Sequence, residues 1–330
     1  MPWLWWEKGG PVSKQIRDLT ISDIGERRSI AEILKIAPSP LNGDDAAVLA
    51  HASPNSRVVV TTDMLIENRH FRLDWSTPDQ IGHKAIVQNF ADIQAMGARP
   101  IAALLGLAAP PDTPVSTLQG IARGVALQVA DYSAELVGGD LSSSDNLVIS
   151  VTAIGHLGGN LPELRLDGAR PGQKVVACGK IGDSAAGLAL LERYGRNFPR
   201  RFADLVAAHR TPTLVPGRGM IARSTGATAM TDNSDGLIQD LGLMARRSQV
   251  HIDLDPEAIA PSPLMREAAD LLDVDPWQWV LSGGEDHTLL ATTSFDAPSG
   301  FRVIGETTRG SGTMSVGGQP PAYQKGWVSF

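Results

Sequence analysis

A single cysteine, Cys178, among 330 residues excludes an internal disulfide and any thiolate-based zinc centre. It sits in the apolar run Val175-Val176-Ala177-Cys178 with no histidine near it in sequence, which reads as a buried strand thiol rather than a nucleophile. That usage fits a reducing compartment, and a cytoplasmic location is expected. No stretch approaches the roughly 20 apolar residues that a membrane-spanning helix needs. Long basic blocks are missing too, and the formal net charge of −7 argues against nucleic acid or an anionic membrane as the main partner. There is no GxxxxGK(S/T) loop, no protein-kinase motif set, no GxSxG and no HExxH, so the common nucleotide, nucleophile-elbow and zincin sites are excluded. The segment Met1-Pro2-Trp3-Leu4-Trp5-Trp6 carries three of the chain's 7 tryptophans but no apolar core or cleavage site. Residues 1–20 are expected to form a flexible extension that docks on its own chain or a twin copy, not a signal peptide.

What is present is a set of aspartates in short Gly, Ser and Thr-rich segments where strands are expected to give way to helices. They are Asp44, Asp45, Asp63, Asp92, Asp140, Asp232 and Asp235. Carboxylates gathered at one end of a sheet repel each other, and with no Cys or His cluster among them, oxygen-only ligation points to a hard cation such as Mg2+. Such ions usually accompany phosphates.

Strand and helix patterns alternate along the chain, which predicts an α/β or α+β fold. The β-branched run 57–62 ends in Asp63, and 81–96 reads as a helix stopped by Gly97 and Pro100. Strands are expected near 101–107, before Gly138 and over 147–156, with a helix near 115–132. A Gly- and Pro-rich stretch between His156 and Lys174 marks the boundary between domains expected at 21–160 and 161–330. Beyond it, 174–178, 251–254 and 288–292 read as strands, and 184–191 and 236–247 as helices.

Each candidate residue has an ordinary reading beside a chemical one. Lys84, Gln88 and Asp92 form a polar stripe at i, i+4, i+8 on an otherwise apolar helix. The stripe is either a Lys84–Asp92 network along the helix or a wall that turns Asp92 toward a metal beside Asp45 and Asp63. Asp63 is a turn residue, or a ligand helped by the Thr61 and Thr62 hydroxyls. Gly139-Asp140 lets backbone amides approach a phosphate beside a carboxylate. In Asp232-Asn233-Ser234-Asp235-Gly236, Ser234 or Asp235 is the expected helix N-cap, and the carboxylates that a cap does not need suit a metal–phosphate site. Ser282-Gly283-Gly284-Glu285-Asp286 is a surface turn or part of the same pocket, and His70 a solvated loop histidine or a donor to a phosphate.

Taken in order, the segments GDDAAVL, TTDMLIENRHF, QNFADIQAMGARP, GGDLSSS, GDSAAGLALL, TDNSDGLIQDLG, SGGEDH and the terminal GW resemble the thiamine-monophosphate kinase family of the aminoimidazole-ribonucleotide-synthetase-like superfamily. The resemblance runs from about Gly25 to Trp327. It implies a two-domain fold, with an N-terminal mixed sheet that dimerises and a C-terminal α/β domain. It also implies transfer of the γ-phosphoryl group of ATP to thiamine monophosphate, and the ionised phosphate nucleophile leads us to expect that transfer to be direct and in-line, with no phosphorylated enzyme residue. Carried over by position, Asp45, Thr61, Thr62, Asp63, Asp92, Asp140, Asp232 and Asp235 would hold several Mg2+ ions. Gly139, Asp140, Arg165 and Ser234 would bind ATP, and His70, Glu285 and Trp327 the thiamine phosphate. Arg165 stands one place earlier than the family's arginine, and His287 replaces a tyrosine common after Gly-Gly-Glu-Asp. The acceptor being an ionised phosphate, no general base is assigned. The alternatives are another ATP-using enzyme of the superfamily, such as a selenophosphate or aminoimidazole ribonucleotide synthetase, and a non-catalytic thiamine-phosphate-binding protein.

Overall fold

The computed structural model describes residues 19–38 and 55–326, so Asp44, Asp45, Trp327 and most of the expected N-terminal extension lie outside it. Of that extension, Thr20 has a definite role. It caps the short helix α1 (Ile21–Ile24) in a capping box with Asp23 and bridges to Pro114.

After α2 (Glu26–Ile36) the first sheet is assembled from β1 (Arg57–Ile66), β2 (Arg99–Ala109), β3 (Glu135–Ser143) and β4 (Val148–Leu157), interrupted by α3 (Pro78–Ala95) and α4 (Val115–Asp131). The spatial order is β1-β4-β2-β3, with β2 and β3 parallel and the other pairs antiparallel. The expected end of the first strand at Thr62 is corrected by the pairing. β4 holds β1 through Ile66, so Asp63 lies inside the strand opposite Val151, and Asp140 likewise lies inside β3. Odd-numbered residues of β1 face α3, whereas Val58, Val60, Thr62 and Met64 are exposed on the other face.

Helix α3 starts earlier than the apolar pattern suggests. Thr77 and Gln80 form a reciprocal capping box, and Pro78 occupies the first turn, where its missing N–H costs nothing. The helix is buried on nearly all sides because it lies between the first sheet and the second half of the molecule. It approaches α4 closely enough that a Cβ at Gly82 would stand 2.1 Å from the carbonyl oxygen of Ile121. The side chain of Gln94 accepts from Gly219 N–H and donates to Val215 C=O, and Tyr132 donates to Leu214 C=O at 2.8 Å, so α3 and α4 also grip the later chain.

The second sheet follows a connection between Leu157 and Lys174. In chain order it and its helices are β5 (Lys174–Cys178), α5 (Asp183–Tyr194), α6 (Ala203–Arg210), α7 (Arg218–Ser224), β6 (Ala227–Asp232), α8 (Leu237–Ser248), β7 (Val250–Leu254), α9 (Pro263–Leu272), α10 (Trp277–Ser282), β8 (Leu289–Thr293), β9 (Arg302–Arg309) and β10 (Thr313–Val316). The six strands run in the order β10-β7-β9-β5-β8-β6. Both faces are covered, which explains the apolar run Val175-Val176-Ala177 of β5 and the burial of all five residues of β8. Val176, Leu289 and Ala291 pack into the core shared with the first sheet, while Val175, Ala177 and Leu290 pack into a second core with α5, α8 and α9. Cys178 is half-buried at the end of β5, as a structural thiol.

Candidate active site

A cavity of about 1080 Å³ opens between the two halves. Asp63 from β1 and Asp92 from α3 form part of its floor with Asp232 and Asp235 from the turn between β6 and α8. Lys84, Gln88 and Asp92 all line it, so the polar stripe of α3 is a cavity wall and not a network closed along the helix. Asp92 accepts from the Thr61 hydroxyl at 2.7 Å, and Lys84 turns instead to Glu285 at 3.0 Å. The edge of β1 is pinned by the buried Asn89, whose side-chain oxygen accepts from the Asp63 N–H at 3.0 Å.

The turn after β6 is held by the loop before β8. Glu285 N–H donates to Ser234 C=O at 2.8 Å, His287 N–H to Asn233 C=O at 3.0 Å, and Asn233 N–H to Thr288 C=O at 2.8 Å. Only glycine fits at 284, since a Cβ there would stand 2.3 Å from the Ser234 carbonyl oxygen. Between Glu285 and His287, the Asp286 carboxylate accepts from the Gly182 and Ser184 amides at the start of α5, at 2.6 and 2.9 Å. Both neighbours of Asp286 adopt left-handed backbone, at φ 62° for Glu285 and 52° for His287, a conformation costing non-glycine residues on the order of 1 kcal/mol or more. The anchored Asp286 keeps them there, and both side chains line the cavity.

The expected side-chain N-cap for α8 is not formed by Ser234 or Asp235. Gly236 takes the cap position, and Asp240, one turn into the helix, reaches back to accept from the Asp235 and Gly236 N–H groups at 3.1 and 3.0 Å. Ser234 and Asp235 therefore face the cavity without capping duty, and Asp235 accepts from Gln239 at 3.1 Å.

Electrostatically the floor and the wall differ. Burial, then the charges of Asp232 and Asp63, push Asp92 up to about 7. Burial also raises Asp63 and Asp235, and each is raised further by its carboxylate neighbours. Burial with Asp232 and Asp235 takes Asp240 up to about 8. On the wall, burial opposes ionisation of Glu285, but Lys84 and His209 overcome it and hold the carboxyl at about 2. Burial and the nearby Lys84 depress His209 to about 3, so its ring is neutral. Burial lowers His70 as well. The His70 Nδ1 accepts from Ile66 N–H at 3.0 Å, which leaves the proton of the neutral ring on Nε2.

Other expected site residues are not on this cavity. The side chain of Thr62 lies on the opposite face of β1, where its hydroxyl donates to Val151 C=O. Asp63 pairs with Val151, Val151 with Leu105 and Leu105 with Gly139, so Gly139-Asp140 sit at the far edge of the same sheet. Three strand spacings, about 14 Å, separate them from Asp63. Asp140 is exposed and accepts from Ser142, and Arg165 is exposed and paired with Asp167. Sequence reasoning missed Ser184, His209 and Asp240, placed Asp286 in a candidate turn without its anchoring role, and read Lys84 only as a possible partner of Asp92.

The AIR synthase related protein, N-terminal domain, family matches residues 43–157, which defines the class of fold. Among curated proteins, the chain is 62% identical to the thiamine-monophosphate kinase of Corynebacterium glutamicum over 94% of this chain and 95% of that protein. It is 42% identical to that of Mycobacterium tuberculosis H37Rv over 97% and 93% of the two chains. A solved structure, AaThiL complexed with AMPPCP and TMP, superposes with a TM-score of 0.76 at 32% identity, covering 94% of this chain and 99% of that one. The chain belongs to the thiamine-monophosphate kinase family.

The floor carries a stability consequence. Asp92 has a folded-state value above its ordinary 3.8, so its ionisation opposes folding. That penalty is absent below pH 3.8 and complete above about 7. Without divalent cations, Asp92→Asn should therefore be the more stable protein at pH 8, by on the order of 1–2 kcal/mol, with the gain shrinking toward pH 5. Thermal melts in chelator at the two pH values check this, and a variant less stable than wild type at pH 8 contradicts it.

Proposed function

We propose that the chain transfers the γ-phosphoryl group of ATP to thiamine monophosphate, forming thiamine diphosphate. The observation that carries this reading is one cavity with an acidic floor and a wall bearing Lys84, His70 and Glu285, in a chain 62% identical to a thiamine-monophosphate kinase over nearly its whole length. Two phosphorylated reactants must meet there. Each pair of like unit charges about 5 Å apart costs roughly 3 kcal/mol at an effective dielectric near 20. The nucleophile is an ionised phosphate oxygen, so none of the lining side chains needs to act as a base.

Mg2+ suits the floor. Its donors are carboxylate and hydroxyl oxygens, and the carboxylates raise one another's proton affinity, which marks a region of unbalanced negative charge. Among the described residues no three His, Cys, Asp or Glu side chains stand together as a ready-made metal site, so these carboxylates would hold an ion only together with waters and substrate phosphates. Asp63, Asp92, Asp232 and Asp235 would hold such ions, with Asp45 joining from outside the described residues. Bound there, the ions would neutralise the phosphates and the charge that spreads over the transferring group. Thr61 orients Asp92, His70 offers its Nε2 proton to the acceptor phosphate, Glu285 faces the cationic ring, and Trp327 would add a stacking surface. Ser234 belongs to the nucleotide end. Gly139, Asp140 and Arg165, standing off this cavity, would serve the outer part of ATP.

ADP release from purified protein, Mg2+ and a panel of phosphate acceptors tests the activity. Thiamine monophosphate should give turnover, Asp63→Asn should lower it at least 100-fold while the fold persists, and acid-quenched protein should carry no phosphoryl label. Undiminished turnover in a folded Asp63→Asn variant, or a trapped phospho-aspartate, would contradict the assignment.

We also propose a homodimer formed by the open face of the first sheet. Val58, Val60, Met64 and Leu104 are 60%, 61%, 52% and 37% exposed there, an apolar patch on an edge strand and its neighbours that a second copy would cover. Sedimentation at micromolar concentration should give a dimer for the wild type and a monomer for Val60→Asp/Met64→Lys. A monomeric wild type would overturn the proposal.

A further inference from the structure

We infer that Lys84 reads the charge of the acceptor and is the residue that selects the phosphorylated form of thiamine. The inference rests on thiamine monophosphate being the acceptor and adds to it a specificity residue that the family motifs do not mark. Lys84 comes from α3, in the first half of the chain, and its side chain is only 3% exposed. Its ammonium stands 3.0 Å from Glu285 Oε1, in the second half, and donates to the His70 carbonyl oxygen at 3.2 Å. It thus touches both described residues expected to bind the acceptor. An ammonium has three donors, and these contacts use two of them.

Glu285 is fixed at its other oxygen as well. Its Oε2 lies 3.3 Å from His209 Nδ1, and that nitrogen is 3.2 Å from Ser184 Oγ. The neutral His209 adds no charge, so at this point the wall presents one buried cation paired with one anion, while Arg69, Arg72, Arg210 and Lys325 also line the cavity. Thiamine monophosphate has the matching pattern, a permanently cationic thiazolium ring and an anionic phosphate on one flexible tether. The ring would lie toward Glu285, whose side chain remains 29% exposed to the cavity, and the phosphate toward Lys84 and His70. Unphosphorylated thiamine keeps the cation and lacks the anion. It would set a second positive charge beside Lys84 with only the Glu285 carboxylate shared between the two, so the pair favours the ligand that brings its own anion.

The test compares thiamine monophosphate with thiamine, without nucleotide, by quenching of protein tryptophan fluorescence, Trp75 and Trp279 both lining the cavity. The wild type should prefer the phosphorylated ligand. Lys84→Met should weaken thiamine monophosphate at least tenfold, leave thiamine unchanged or tighter, and leave the affinity for a non-hydrolysable ATP analogue within about twofold. Loss of Lys84 through general loosening would instead weaken all three. A folded Lys84→Met protein that keeps the wild-type ratio of the two thiamine affinities overturns the inference. If the unpaired Glu285 prevents folding, Lys84→Met/Glu285→Gln removes both charges and is judged by the same ratio, a collapse supporting the inference and a retained ratio overturning it. A wild type that releases no ADP with thiamine monophosphate would overturn the proposed function, and this inference with it.

Discussion

Repulsion among the carboxylates of Asp63, Asp92 and Asp232 is the constraint around which the molecule is arranged. The three groups come from β1, α3 and the end of β6; Asp232 raises the cost of ionising Asp63, and Asp232 and Asp63 raise that of Asp92. The buried His287, whose Nδ1 stands 3.0 Å from Asp232 Oδ2, relieves part of that cost, and the apolar cores on either side relieve none of it. It is tolerated because the elements that carry the groups are held independently. β1 is paired along its whole length and pinned through Asn89, α3 is wedged between two sheets, and the turn after β6 is laced to the 285–288 segment. On the proposed function, a structure that keeps like charges together at such expense would be preorganised for a cation that arrives with the substrate.

Helix α3 joins the two kinds of chemistry in the cavity. Along one stripe it carries Lys84, Gln88 and Asp92, so a single rigid element spans from the acceptor wall to the acidic floor. At the wall it reaches across to Glu285, and near its C-terminus Gln94 grips the 215–219 segment. Opposite it, Asp286 plays the corresponding part. By binding the first amides of α5, it fixes two left-handed residues whose side chains both enter the cavity. Strain at Glu285 and His287 is thus balanced by a buried carboxylate bound to backbone amides.

Much of this was legible in the sequence where local pattern and tertiary role agree. The stripe on α3, the strand patterns leading into Asp63 and Asp232, and the Gly-rich segment before Glu285 all reach one cavity, because each needs only helical period, strand alternation or a glycine. What was not legible depends on distant pairing. The sequence has no mark showing that β4 extends β1 past Asp63, or that the helix after Gly236 is capped from inside by Asp240 rather than by Ser234. His209 and Ser184 are ordinary residues of α6 and α5 until packing places His209 against Glu285 and Ser184 against His209. The separation of Gly139-Asp140 from Asp63 follows from strand order, which no residue spacing encodes. Helices α6, α7, α9 and α10 are short and flanked by proline, so their periodicity is too brief to stand out.

The central claim, that the floor is built for divalent cations, is tested most directly by titrating Mg2+ into the cation-free protein and following its melting temperature at pH 6 and pH 8. The account predicts stabilisation that saturates with Mg2+ and is larger at pH 8, where the raised carboxylates of the floor have lost their protons. A melting temperature indifferent to Mg2+ at both pH values would contradict it.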